Sequence, residues 1–419
     1  PYMLDGQLLE AQICAYLGDL DAADALYLNI LNADPARVRD GWEWASIHGI
    51  TNPERTIEIL RHLLVLLPDR PAYALALYEF LEKIDPARVD ADFERLLQEE
   101  SASIIIMTLI DMVGTQNVDR SVALAQRLQA RFPDDIEVTF LLARRLRRAN
   151  QFQDAIALLG TLDDELRIRP DIGLLLTDCL YMDQQIRSSI VQLLAMEDNN
   201  DPDYPQENRE RDYRLSMRPR MIQAWADEQA IREAQKDSAN PTVRLVIDGK
   251  PVTLELYASN APVTVANFLA LSRSGFYDGT PFHNVQVGFI SQGGVPKGET
   301  FPSYADAGYT ITDESQLPGA RLHFKGSLAM ARIGKDKQVG SQFYITHAPT
   351  HHLHGTDPVF GHVTEGMDVI HAMRGNERIE RIDIINPGTV NNDFDVLDAS
   401  GETMPYSQWK QRSTVEDGD

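Results

Sequence analysis

The sequence predicts a multidomain protein: an all-α helical-repeat region in the first half, followed by an antiparallel β domain. Three observations carry this. Small and apolar residues recur at three- and four-residue spacing through the first 195 positions, punctuated by prolines at a repeating interval. From Val243 the pattern changes to short alternating strands separated by turn residues. Between them lies a polar, proline-containing stretch. At 419 residues, with 43% hydrophobic and 24% charged residues, the chain is long enough for two or three domains with proper cores. The expected divisions are 1–197 for the helical repeats, 198–240 for a linker and connecting helix, 241–388 for the β domain, and 389–419 for an acidic tail.

The helical region begins with Ala11, Cys14 and Ala15, then Ala22, Ala23 and Leu26, separated by Leu17-Gly18-Asp19. A helix pair closes at Asp34-Pro35, and similar closes recur at Leu67-Pro68 and Phe132-Pro133, at intervals of 33 and 65 residues. The same unit returns between Leu146 and Leu159, around Asn150-Gln151-Phe152 and Ala155. A period near 34 with these landmarks resembles tetratricopeptide repeats, whose helix pairs bury their apolar faces only by stacking into a solenoid. The signature tryptophan and tyrosine positions are mostly absent and the repeat near Asp90 is poorly marked, so an irregular helical bundle satisfies the pattern too. Trp42, Trp44 and Tyr73 are expected to pack between helices, and Cys14 to be a buried thiol. The polar run from Asp198 to Pro219 reads as a linker or long loop. A short amphipathic helix with Met221, Ile222, Trp225 and Ile231 on one side follows, ending at Ser238-Ala239-Asn240-Pro241.

In the β domain, Val243–Ile247 and Thr253–Tyr257 form a hairpin turning at Asp248-Gly249. A helix follows from Ala261-Pro262, where the missing proline N–H costs little. Phe276-Tyr277-Asp278-Gly279 leads into the run Pro281–Gly294, PFHNVQVGFISQGG. Later runs are Gly308–Ile311, Gly326–Ala331, Gly340–Ile345, Val359–Val363 and Glu365–Ile370. In this order and spacing, residues 243–386 resemble the cyclophilins, the peptidyl-prolyl cis–trans isomerases. The resemblance implies a closed eight-stranded β-barrel capped by two helices, an activity on proline-containing protein segments, and no cofactor. It implies that Phe289, Ile290, Tyr344 and Leu353 form a proline pocket. Gln292 and Gln342 would hold the substrate together with the backbone of Ala331 and Arg332, and His352 and Asp357 would border the site.

Three positions depart from the family pattern. Asn284 stands where the catalytic arginine is expected, His352 where many members have tryptophan, and Asp357 where many have histidine. Rotation about an X–Pro amide faces a barrier of roughly 18–20 kcal/mol and makes or breaks no bond, so the chemistry needs an apolar grip and a donor for the twisted amide. A preorganised donor of this kind contributes about 2.7–4 kcal/mol, or roughly 10²–10³ in rate. Asn284 is shorter and neutral, which predicts weakened isomerase activity; Arg332 is the candidate substitute cation. The alternative is a non-catalytic scaffold in which both domains bind proteins. A further alternative makes His347, His351, His352 and His354 a metal site, whereas His283 reads as a buried strand residue.

The net charge of −24 divides as −17 for residues 1–240, −2 for 241–390 and −5 for 391–419. Such an excess disfavours nucleic acid and anionic membranes as partners. The run Arg144, Arg145, Arg147, Arg148 is expected to pair with nearby carboxylates. No apolar run reaches the length of a transmembrane helix. The helical repeats are expected to engage a protein partner. The acidic excess and the start at Pro1 point to an exported bacterial protein.

Overall fold

The computed structural model describes residues 2–34, 37–49, 52–67, 71–196, 201–236, 238–296, 307–333 and 338–416. The chain forms two compact units, Pro1–Arg145 and Leu146–Asp419. Among the described residues fifteen α-helices, α1–α15, precede the first strand.

In the first unit, α1 (Tyr2–Leu17) packs on α2 (Leu20–Ala33), α3 (Val38–His48) on α4 (Pro53–Leu66), and α7 (Ile104–Gln116) on α8 (Val118–Arg131). Asp19, Asn52, Ser103 and Asn117 cap their helices by accepting from the backbone N–H three residues on. Each such cap stabilises by about 1 kcal/mol. Tyr27, Leu60, Leu77, Phe93 and Ile110 fill the space between the helices. Ion pairs then link one helix pair to the next: Arg55–Asp24, Arg88–Glu54, Arg127–Glu94 and Arg144–Asp111, separated by 31, 34, 33 and 33 residues. That spacing matches the period read from the sequence, as stacked repeats require. Trp44 and Tyr73 are buried, but Trp42 is 38% exposed and Cys14 half-buried, because both stand off the apolar stripe of their helices. The closing residues Pro35 and Pro68 lie outside the described residues.

The second unit combines the later helices with the β domain. Its helices include α10 (Phe152–Leu159), α12 (Pro170–Met182), α13 (Ile186–Ala195), α14 (Pro205–Met217) and α15 (Pro219–Ala234). The stretch expected to be a linker or loop is therefore largely helical from Pro205 onward; Asp198, Asn199 and Asn200 lie outside the described residues. Its polar composition hides the helix because arginines, rather than apolar residues, dock it. Arg211 donates to the Met196 carbonyl, and Arg214 and Arg218 reach Asp178 on α12.

The strands are β1 (Thr242–Ile247), β2 (Lys250–Leu256), β3 (Asn284–Gln286), β4 (Ile290–Gly293), β5 (Tyr309–Ile311), β6 (Ser327–Ile333), β7 (Gln338–Thr346), β8 (Val359–Glu365), β9 (Ile379–Asn386), β10 (Asp395–Asp398) and β11 (Thr403–Pro405). The β1–β2 turn places Asp248 and Gly249 at φ of 44° and 76°, the left-handed pair that a two-residue hairpin favours. The strands run in the order β11-β10-β5-β7-β6-β8-β2-β1-β9, with the β3–β4 hairpin attached to β7. This is a curled half-barrel of nine strands and not the closed eight-stranded barrel expected. Between β9 and the segment before β3 the described residues form one bridge, Pro281 to Arg378, with Gly279 and Phe282 N–H donating to the Ile379 and Glu377 carbonyls on either side, a contact too short to count as a strand pair. Helix α16 (Pro262–Arg273) covers the concave side, with Phe268 against Tyr277, Phe343 and Phe360. Helix α17 (Met367–Ala372) follows β8.

The segment read as an acidic tail extends the sheet. Val396 pairs with Ile311, and α18 (Tyr406–Glu416) brings Trp409 within 4.5 Å of the Tyr309 ring. The aspartates of this segment face outward and conceal an alternating apolar face of Phe394, Val396 and Met404.

Candidate functional site

Strand β4 presents its residues alternately. Ile290 joins Ala329, Ala331, Tyr344, Val359 and Tyr257 in a buried apolar cluster, with Phe289 and Leu353 packed at its margin. Cross-strand register brings Gln292 opposite both Asn284 and Tyr344, so the motif strand and β7 align the site residues. Phe289, Ile290, Tyr344 and Leu353, expected together, are adjacent in this cluster, and Ala331 joins them. His352, at the position where the resemblance leads one to expect tryptophan, stacks on Phe289 with ring centroids 5.3 Å apart.

Beside this cluster runs a row of carboxamides. Gln286 Nε2 donates to Asn284 Oδ1 at 3.3 Å, Asn284 Nδ2 to Gln292 Oε1 at 3.2 Å, and Gln292 Nε2 to Gln342 Oε1 at 3.1 Å. Asn284 thus has both its oxygen and its amino group engaged by neutral partners. Arg332 lies between two carboxylates, with Nη1 3.2 Å from Asp313 Oδ2 and Nε 3.4 Å from Asp357 Oδ1. The cation proposed as a substitute is held in ion pairs.

The floor of the cluster is less apolar than the sequence suggests. Tyr344 donates its hydroxyl to Asp357 Oδ2 at 3.0 Å and lies 2.8 Å from His323 Nε2, which must then be the donor. Burial, followed by the nearby carboxylate of Asp357, pushes the Tyr344 phenol far up, so it stays protonated. Burial pulls His323 down to about 3, with His354 and His352 adding to the effect, so it stays neutral. His323 gives no sequence signal: it lies in an irregular segment before β6, outside any run that carries the family resemblance.

A second buried histidine fixes the loop that carries Phe289. His347 Nδ1 faces Gly288 N–H and Asn150 Nδ2, both at 3.1 Å, while Nε2 lies 2.8 Å from Ser291 Oγ. Its own N–H donates to the Phe289 carbonyl at 2.8 Å. Burial first, then the charges of His371 and Arg374, lowers its pKa to about 3. The histidines adjacent in sequence diverge in space: His347 faces Ser291, His351 approaches Tyr181 at 3.4 Å, His352 stacks on Phe289 and His354 on His323. Among the described residues no three His, Cys, Asp or Glu side chains are arranged to hold a metal ion. His283 precedes β3, half-buried, with its pKa lowered by burial. Arg144 and Arg145 meet Asp111, and Arg147 lies 3.9 Å from Asp178. No described helix is long and apolar enough to cross a membrane.

Residues 242–390 match the family described as cyclophilin type peptidyl-prolyl cis-trans isomerase/CLD. Peptidyl-prolyl cis-trans isomerase B of Bacillus subtilis is 44% identical over 138 residues, 33% of this chain and 93% of the relative. The chain belongs to the cyclophilin family. A peptidyl-prolyl cis-trans isomerase of Synechococcus elongatus is 40% identical over 136 residues, covering 32% of this chain and 89% of that protein. Mouse peptidyl-prolyl cis-trans isomerase-like 1 is 39% identical over 130 residues, 31% of this chain and 77% of the relative. The cyclophilin domain is thus joined here to a helical region that these relatives do not cover. The neutral row Gln286–Asn284–Gln292–Gln342 passes through position 284, where the sequence resemblance leads one to expect a cationic donor.

Proposed function

We propose that the cyclophilin domain binds proline-containing segments of proteins across Phe289, Ile290, Tyr344 and Leu353, and isomerises them slowly. The supporting observation is the pairing of an apolar cluster with a side chain at 284 that is neutral and already engaged by Gln292 and Gln286. The proline ring packs on the aromatic and aliphatic walls, Gln292 and Gln342 hold the peptide backbone, and the backbone of Ala331 and Arg332 pairs with it. Catalysis then comes from desolvating the amide and from weak amide donors, without the stabilisation that a cation aimed at the twisted nitrogen supplies. The helical repeats serve to engage a protein partner, for which stacked helix pairs offer an extended surface.

Titration of an Ala-Pro peptide followed by NMR tests the binding step. Wild-type protein should shift the peptide resonances, and Phe289→Ala should weaken affinity about tenfold or more, as loss of roughly 1.5–3 kcal/mol of aromatic contact implies. Equal affinity of the two proteins would refute the assignment of the pocket. The second reading, a non-catalytic binding scaffold, is favoured by Arg332 being held by Asp313 and Asp357. Exchange spectroscopy on the same samples separates the readings: binding without accelerated cis–trans exchange marks a scaffold.

A further inference from the structure

The turn that borders the proline site has a second side. His352 stacks on Phe289 and Leu353 packs on the apolar cluster, but His351 and His354, which flank them, line a separate cavity of about 440 Å³. Its other walls come from α12, α14 and α15, and its volume falls within the range of about 300–1,000 Å³ typical of ligand sites. Tyr181, Tyr213, Met217 and Met221 give it an apolar lining in which the methionines can adapt their shape.

Its charge runs against that of the rest of the chain. Arg214, Arg218 and Arg220 line the cavity, against one lining carboxylate, Glu210. Asp178 lies behind, bound to both Arg214 and Arg218, and Arg218 stands 4.5 Å over the Tyr181 ring. Arg220 is exposed and has no carboxylate partner among the described residues. Arg214 also pairs with Glu210, so two of the three arginines are offset and the net positive charge is carried by Arg220, which beside apolar walls suits an apolar group joined to a carboxylate.

The two sites flank one turn of 3-10 helix, His351–Leu353, whose rise of about 2 Å per residue and side-chain reach put them on the order of 10 Å apart. An extended peptide covers that span in about three residues. We propose that the cavity is a second subsite for the client chain, taking a hydrophobic side chain and an adjacent carboxylate about three residues from the proline. The inference rests on the proline-binding reading given above, and it turns a generic grip on proline into recognition of an apolar-acidic neighbour.

Fluorescence-anisotropy titrations of the full chain test it with labelled dodecapeptides that share one central Ala-Pro. One pair carries Leu-Glu or Leu-Lys three residues after the proline, and a second pair carries them three residues before it. In one of the two pairs the acidic peptide should bind about three- to tenfold tighter than its lysine counterpart, the range a partly exposed to partly buried ion pair gives. Arg220→Glu should invert that order, as a charge-reversal cycle requires. Equal binding of acidic and basic peptides in both pairs, or an order unchanged in Arg220→Glu, overturns the subsite. Phe289→Ala separates this from the reading beneath it. Weakened binding of all four peptides upholds the proline pocket whatever the charge preference, and unweakened binding removes both.

Discussion

In the proposed reading, Asn284 sets the rate of the site without altering its shape. Its amide continues a row of carboxamides, so the strand keeps its register and the neighbouring apolar cluster keeps its members. The two histidines beneath the site act differently. His323 and His347 remain neutral because burial pulls each to about 3, and His362, stacked on Tyr257, is lowered to the same value by burial first and then by Arg232 and Arg321. A histidine whose folded pKa lies below its unfolded value near 6.5 leaves stability intact above that value. It removes stability as the pH falls, since only the unfolded chain takes up the proton. Each should steepen the decline between pH 6.5 and 3 by up to about 1.4 kcal/mol per pH unit. Urea denaturation followed by tryptophan fluorescence at pH 7 and pH 5 should therefore show a markedly lower midpoint at pH 5, and a histidine-to-glutamine change at 362 should reduce the difference. Identical midpoints would mean that these imidazoles titrate normally.

At the scale of elements, the loop between β3 and β4 is held from behind by the turn that opens α10. Asn150 sits at φ of 63° and donates to His347 and to the His371 carbonyl, while Phe152 meets His371 edge-on at 5.4 Å. Asn150→Gly preserves the left-handed backbone and deletes only the amide's two hydrogen bonds, each worth about 0.5–1.5 kcal/mol, while Gly288 N–H and Arg374 continue to serve the same acceptors. Peptide affinity should fall with it, because Phe289 loses its support; a change in stability alone, with affinity intact, would mean the turn does not position the pocket. The sequence announced the motif strand, the hairpin at Asp248-Gly249 and the cluster around Tyr344, because strand alternation and turn chemistry are local. It did not announce Asn150 or His323, whose partners lie 197 and 21 residues away. Nor did it reveal α14 or the strands after Val390, where arginine docking and outward aspartates mask the apolar periodicity.

At the scale of the whole molecule, each unit carries its own buried ionic anchor. In the first, Asp24 accepts from Trp44, His48 and Arg55; burial works to raise its pKa, but those hydrogen bonds outweigh it and hold the carboxyl below its usual range. In the second, Glu228 on α15 makes a bidentate pair with Arg321 at 2.8 and 2.7 Å, and Arg321 lies 3.8 Å from the Tyr257 ring centroid. Removing one partner of such a buried pair costs about 3–5 kcal/mol. Calorimetry should show Glu228→Ala and Asp24→Ala lowering different transitions, with additive effects in the double variant as distant sites give. A single transition lowered alike by both would contradict two separately cored units. The central proposal concerns the site itself: an apolar cluster that grips proline, beside a neutral, hydrogen-bonded Asn284 in place of a cationic donor. The direct measurement is kcat/KM for one Ala-Pro peptide, wild type against Asn284→Arg, in a protease-coupled isomerisation assay. The account predicts an increase of roughly 10²–10³ in the variant; equal turnover by the two proteins would contradict it.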